Sequence, residues 1–124
     1  MEQKEVIEGN KLIAEFMGGE YERKKDPFSD VYLESWTFLG GQGNWRLLKE
    51  PAKHQYFAHQ LFYHLDWDWI MPVIKKIAII VSDKLADNYS DAKARWKPIA
   101  NELQNCNLEN VWYCVVQFIR WHNE

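Results

Sequence analysis

The stretch His64-Leu65-Asp66-Trp67-Asp68-Trp69-Ile70-Met71-Pro72-Val73-Ile74-Lys75-Lys76-Ile77-Ala78-Ile79-Ile80 alternates acids with indoles, then runs into a proline and a long apolar segment. Ile70, Val73, Ile74, Ile77, Val81 and Leu85 follow at spacings of three and four, which draws one apolar stripe down a helix. Asp66 and Asp68 precede the stripe. A carboxylate there accepts hydrogen bonds from the unpaired N–H groups of a first turn and sits against the positive end of the macrodipole. Pro72 either kinks a first turn at residues 67–71 against the rest or marks the start of the regular helix. Both choices leave the acids at its beginning and turn Lys75 and Lys76 to water.

Working outward, Asn107 can cap a terminal helix that buries Leu108, Val111, Trp112, Val115, Phe118 and Ile119. Between the two, Ser90 or Asp91 can cap a helix whose Ala92, Trp96, Ile99 and Leu103 repeat at helical spacing, kinked or shortened by Pro98. Toward the amino terminus, Val6 to Met17 reads as a short amphipathic helix stopped by Gly18 and Gly19, with Gly9 and Asn10 weakening its first half. Residues 20–30 are charged, contain Pro27, and read as a surface loop. Residues 31–39 and Trp45-Arg-Leu-Leu-Lys-Glu50 read as a hairpin around Gly40, Gly41 and Gly43, and Tyr56 to His64 as a third strand. These glycines lack the Lys-Ser/Thr of a phosphate-binding loop. The expected class is α+β: a single domain, residues 1–124, in which a short antiparallel sheet over about residues 31–64 packs against three or four helices.

Composition narrows the function. A chain of 124 residues, 47% hydrophobic and 27% charged, is an ordinary globule that needs no metal or disulfide to hold it. A net charge of −3 argues against duplex nucleic-acid binding, which draws on many lysine and arginine contacts to phosphate. The knot Arg23-Lys24-Lys25 is flanked by Glu20, Glu22 and Asp26 and reads as a solvated segment. The two cysteines, Cys106 and Cys114, are too far apart for a metal clip. No run of about 18 apolar residues or secretory leader is visible, so the expected setting is a reducing cytoplasm without membrane attachment. Seven tryptophans, six tyrosines and six phenylalanines are the unusual feature. Each buried ring is worth roughly 4–6 kcal/mol of gross transfer energy, so most belong inside, and two or three left together outside would mark a contact site.

Three segments carry a resemblance: Lys11 to Gly19 (KLIAEFMGG), Tyr63 to Ile77 (YHLDWDWIMPVIKKI) and Val111 to Glu124 (VWYCVVQFIRWHNE). Together they resemble small bacteriophage and prophage proteins, especially of Bacteroides and its relatives, some of them grouped under a phage ABA sandwich domain. The resemblance implies a compact α/β sandwich and a phage setting, and it brings no catalytic residues with it. Residues 78–103 look more helical than that pattern.

Two kinds of site fit the residues. His64, Asp66 and Asp68 would line one side of an extended segment and offer imidazole and carboxylate to a divalent metal, with His59 nearby, as in a small metal-dependent hydrolase. His54, His59 and His64, five apart, cannot converge on one regular element. Helix initiation accounts for both acids without any chemistry. Trp67 and Trp69 could stack on a sugar, base or peptide, forming a tryptophan-lined ligand site, or could pack a helix on a sheet. Trp121 and His122 form a second aromatic pair suited to an oligomer contact. The resulting expectation is a noncatalytic protein, without a cofactor, that binds copies of itself or a host protein through an aromatic surface.

Overall fold

The computed structural model describes residues 2–39 and 53–124. The chain divides into two units, Met1–Phe62 and Tyr63–Glu124. Among the described residues are three strands in one antiparallel sheet and four α-helices, an α+β protein as the periodicities predict.

In the first unit, α1 (Gln3–Phe16) starts three residues earlier than the apolar spacing suggests. Gly9 and Asn10 do not interrupt it, because both lie on its buried face with Ile13 and Ala14. Asn10 Nδ2 donates to the Leu61 carbonyl at 2.9 Å, which compensates the burial of its amide. The helix ends in a Schellman arrangement: Gly18 N–H donates to Glu15 and Gly19 N–H to Ala14. Gly18 holds a left-handed φ of 83°, and a Cβ on Gly19 would lie 2.7 Å from the Phe38 ring. Each glycine therefore has its own reason, one the backbone turn and the other a close approach.

The charged segment after α1 is a strand, β1 (Glu20–Lys25), and not the surface loop its composition suggests. It forms the edge of the sheet order β1-β2-β3, with β2 (Tyr32–Leu39) central and β3 (Lys53–Phe57) on the far side. All six β1 residues are exposed, so charge there is the ordinary protection of an edge against pairing with another chain. Charge alone read as loop because an edge strand needs no apolar alternation. Tyr21 pairs with Trp36 across β1 and β2, and Tyr56 pairs with Trp36 across β2 and β3. Trp36 and Phe38 are buried, with Tyr21 5.4 Å from Trp36 and Tyr56 6.0 Å from Phe38 between ring centroids. Such tilted ring pairs contribute beyond their buried area. The third strand ends at Phe57 instead of His64: Ala58–Gln60 form a single 3-10 turn, with Gln60 Oε1 accepting from Phe57 N–H at 2.9 Å. Gly40, Gly41, Gly43 and Trp45 to Glu50 lie outside the described residues.

The second unit is helical. Helix α2 (Trp67–Val81) has Asp66 as its N-cap, in extended backbone, and buries Ile70, Val73, Ile74 and Ile77. Pro72 lies inside it, so the first turn is continuous with the rest. Leu85, assigned to the apolar stripe by spacing, falls beyond the helix end and is 94% exposed. Helix α3 (Tyr89–Gln104) begins after Asn88, not after Ser90 or Asp91, and no side chain caps it. Helix α4 (Leu108–His122) is capped by Asn107, whose side chain accepts from Asn110 N–H at 3.1 Å. Its buried face carries Val111, Trp112, Val115, Phe118 and Ile119. Between α3 and α4, Cys106 takes a left-handed φ of 53°, a position where glycine costs nothing and a side chain does.

Candidate binding surface

The acids of the opening stretch build a helix end. Asp66 Oδ1 accepts from Asp68 N–H at 2.8 Å, and Asp68 stands in the first turn, where a negative charge meets the macrodipole favourably. His64 sits in the turn before them, half-buried, and burial pushes its imidazole pKa below the ordinary value. Among the described residues no three His, Cys, Asp or Glu side chains are grouped so as to hold a metal ion. His59 is exposed in the 3-10 turn of the first unit.

The indoles divide by depth. Trp69 is 7% exposed and meets the Tyr63 ring edge-on at 5.1 Å, which makes it core. Trp67 is half-buried at the first helical position. Trp121 is half-buried between Phe118, 5.5 Å away, and the Arg95 guanidinium, 5.9 Å from its ring centroid. His122 is exposed and lies nearly parallel to Phe118 at 6.2 Å. Cys114 lies among buried α4 residues; burial first, and Glu102 second, push its thiol pKa up, away from nucleophilic use.

The conspicuous surface lies elsewhere, on the hairpin that composition concealed. Asp26 N–H donates to the Val31 carbonyl at 2.9 Å and closes the loop between β1 and β2. Asp26 Oδ1 then accepts from Phe28 N–H at 2.9 Å, and Ser29 Oγ accepts from Val31 N–H at 3.2 Å. These local bonds are the ones aspartate and serine make in tight turns. They fix a tip whose Phe28 side chain points into solvent, 96% exposed, with Val31, Tyr32 and Leu33 exposed behind it. Arg23 stacks its guanidinium over Tyr32 at 4.4 Å, stiffening that ring.

Register produces a groove beside this tip. β3 pairs with Ser35 to Leu39 only, so Tyr32 to Glu34 run on past its end. Where β3 stops, the chain folds into the 3-10 turn, and an open groove of about 390 Å³ forms between Tyr32, Leu33 and Glu34 on one side and Phe57, Ala58 and His59 on the other. The His59 ring stacks on Phe57, with 2° between their planes. The carboxylate at the rim, Glu34, is salt-bridged to Lys11, whose ammonium is the main reason its pKa lies below the usual carboxylate range. Glu34 is therefore already neutralised by the fold, and what the groove offers a visitor is chiefly aromatic and aliphatic surface. Concavity of this size with a few polar groups at the edge suits an apolar side chain or a ring.

Sequence reasoning missed Phe28, Tyr32 and Phe57, and set His59 beside the His64, Asp66 and Asp68 alternative instead of in this groove. The signal lies in Asp26-Pro27-Phe28-Ser29-Asp30, turn formers enclosing an aromatic, where composition alone reads as loop and says nothing of the direction of the phenylalanine. No protein-family model, curated protein or solved structure matches the chain.

Proposed function

We propose that the protein is a noncatalytic binding protein that acts through the aromatic surface of the β1–β2 hairpin and its neighbouring groove. One observation carries this reading. Phe28, Val31, Tyr32, Leu33 and Tyr21 leave large apolar side chains in water on a single hairpin whose tip is held rigid by its own hydrogen bonds. Scattered apolar residues are ordinary on a surface, whereas several gathered on one hairpin beside a groove mark a contact site. Aromatic anchors on a stiff support bind with little loss of side-chain entropy. The hydrolase reading based on His64, Asp66 and Asp68 has less support, because the Asp66 carboxylate is occupied in capping α2.

The phage or prophage setting implied by the resemblance, and with it the cytoplasm of a host cell, belong to the same proposal. No helix among the described residues is long and apolar enough to cross a membrane, which is compatible with that setting. The test is photo-crosslinking in cells with a benzophenone amino acid at Tyr32, and at exposed Lys97 on α3 as the control. A discrete protein adduct from position 32 and none from position 97 is expected. Equal or absent crosslinking at the two positions overturns the proposal.

A further inference from the structure

Resting on that reading, we infer that the partner is a second copy of this chain: Phe28 of one copy fills the Tyr32–Phe57–His59 groove of the other, and the contact is repeated about a two-fold axis.

Among the described residues of the first unit, two features lack counterparts. One is a projecting phenylalanine, almost wholly in water, and the other is an apolar groove of about 390 Å³ four residues further along the same hairpin. Phe28's own exposure shows that it does not fill the groove of its own chain. A two-fold interface uses one patch on both molecules, so a patch that carries both a projection and a recess is complementary to itself and closes after two contacts. A volume of about 390 Å³ has room for a phenyl ring.

Charge favours the same occupant. At the projecting tip Asp30 is paired with Lys25, which leaves Asp26 as the net charge, while beside the groove Lys11 is spent on Glu34, which leaves the Arg23 guanidinium stacked on Tyr32. A two-fold contact sets the net negative charge of each tip, at Asp26, against the net positive charge beside the opposite groove, at Arg23. Potential of opposite sign then orients the approach, and the aromatic contact supplies the hold.

Sedimentation velocity of the full chain over a wide concentration range tests this. The wild type is expected to pass from monomer to dimer as concentration rises. Phe28→Ser removes the projection, and Ala58→Trp fills the recess. Each removes the contact on both sides of the two-fold axis and is expected to weaken self-association by more than about 30-fold, the scale of losing a single interface anchor. The two variants mixed are expected to form a heterodimer, since one retains the recess and the other the projection. Phe28 lies in a turn in water, so its serine variant keeps wild-type circular dichroism, and a lost dimer cannot be ascribed to unfolding. A wild type that stays monomeric, a Phe28→Ser protein that dimerises like wild type, or a mixture that does not associate overturns the inference. Crosslinking from Tyr32 to a protein of another mass, with a monomeric wild type, would leave the binding role standing and remove only the second copy as partner.

Discussion

Replacing Asp66 separates a structural acid from a functional one. Its carboxylate accepts one hydrogen bond, from Asp68 N–H at 2.8 Å, while its backbone stays extended at φ −139° and ψ 121°. Alanine removes that acceptor and leaves a first-turn donor unpaired, a loss of about 1 kcal/mol within a usual span of roughly 0.5–2. Asparagine has an equivalent oxygen at the same reach and forfeits only the interaction of the charge with the helix end, about 0.3–1 kcal/mol. With a urea slope of about 1–3 kcal/mol/M for a chain of this size, Asp66→Ala lowers the midpoint by roughly 0.3–1 M and Asp66→Asn by distinctly less. Tryptophan fluorescence reports the transition, since Trp67 and Trp69 open the same helix. An unchanged slope assigns the shift to native stability. Equal losses for alanine and asparagine would mean that charge and not capping is what the position requires, and a rise in stability with alanine would point to an acid held under strain for chemistry.

Further expectations follow from the same structure. Ile74→Ala and Val115→Ala, at positions almost wholly buried, should each cost about 2–4 kcal/mol by urea unfolding, and a cost near zero at either would mean that its helix face is misassigned. Cys106→Gly relieves a left-handed backbone between α3 and α4 and should raise the melting temperature, in contrast to the usual cost of placing glycine in a chain. Thiol titration near neutral pH should modify exposed Cys106 quickly and half-buried Cys114 slowly, and equal rates would contradict the burial of Cys114. Glu34, with its pKa held down by Lys11, contributes stability that is complete above its unfolded value and lost as pH falls through its lowered folded value. Half-buried His64 acts with the same sign at higher pH, because the unfolded chain takes up its proton first as pH falls below the ordinary histidine value. Stability of Glu34→Gln should accordingly be flatter than wild type in the acid range, and that of His64→Gln flatter just below neutrality, both read from urea midpoints against pH.

Helices were legible because their information is local and periodic. The spacing of Ile70, Val73, Ile74 and Ile77 and the capping residues Asp66 and Asn107 specify α2 and α4 without reference to the rest of the chain. α3 was placed by Ala92 and Ile99, but its start was misjudged because Asn88 makes no side-chain cap that a sequence motif would encode. The sheet was less legible. β2 shows its aromatic alternation, whereas β1 has only charged and single aromatic positions, and its strand character arises from pairing Tyr21 with Trp36 fifteen residues later. β3 ends early because Gln60 turns the chain at Phe57, a bond no periodicity announces. The binding surface depended on both of those features. Its groove exists only because β3 is shorter than β2, and its projection only because the loop after Lys25 is a tight hairpin tip. Indoles attract attention by number, yet Trp36, Trp69 and Trp112 are core, and among the described residues the aromatic side chain most fully in water is a phenylalanine.

Amide hydrogen exchange of the wild-type chain, compared between dilute and concentrated solution, tests the contact surface most directly because no substitution intervenes. Slower exchange on concentration is expected in peptides covering residues 26–34 and 57–60, with α3 unchanged. Protection that is the same at both concentrations, or that develops on the helices while the hairpin stays open, would contradict the account.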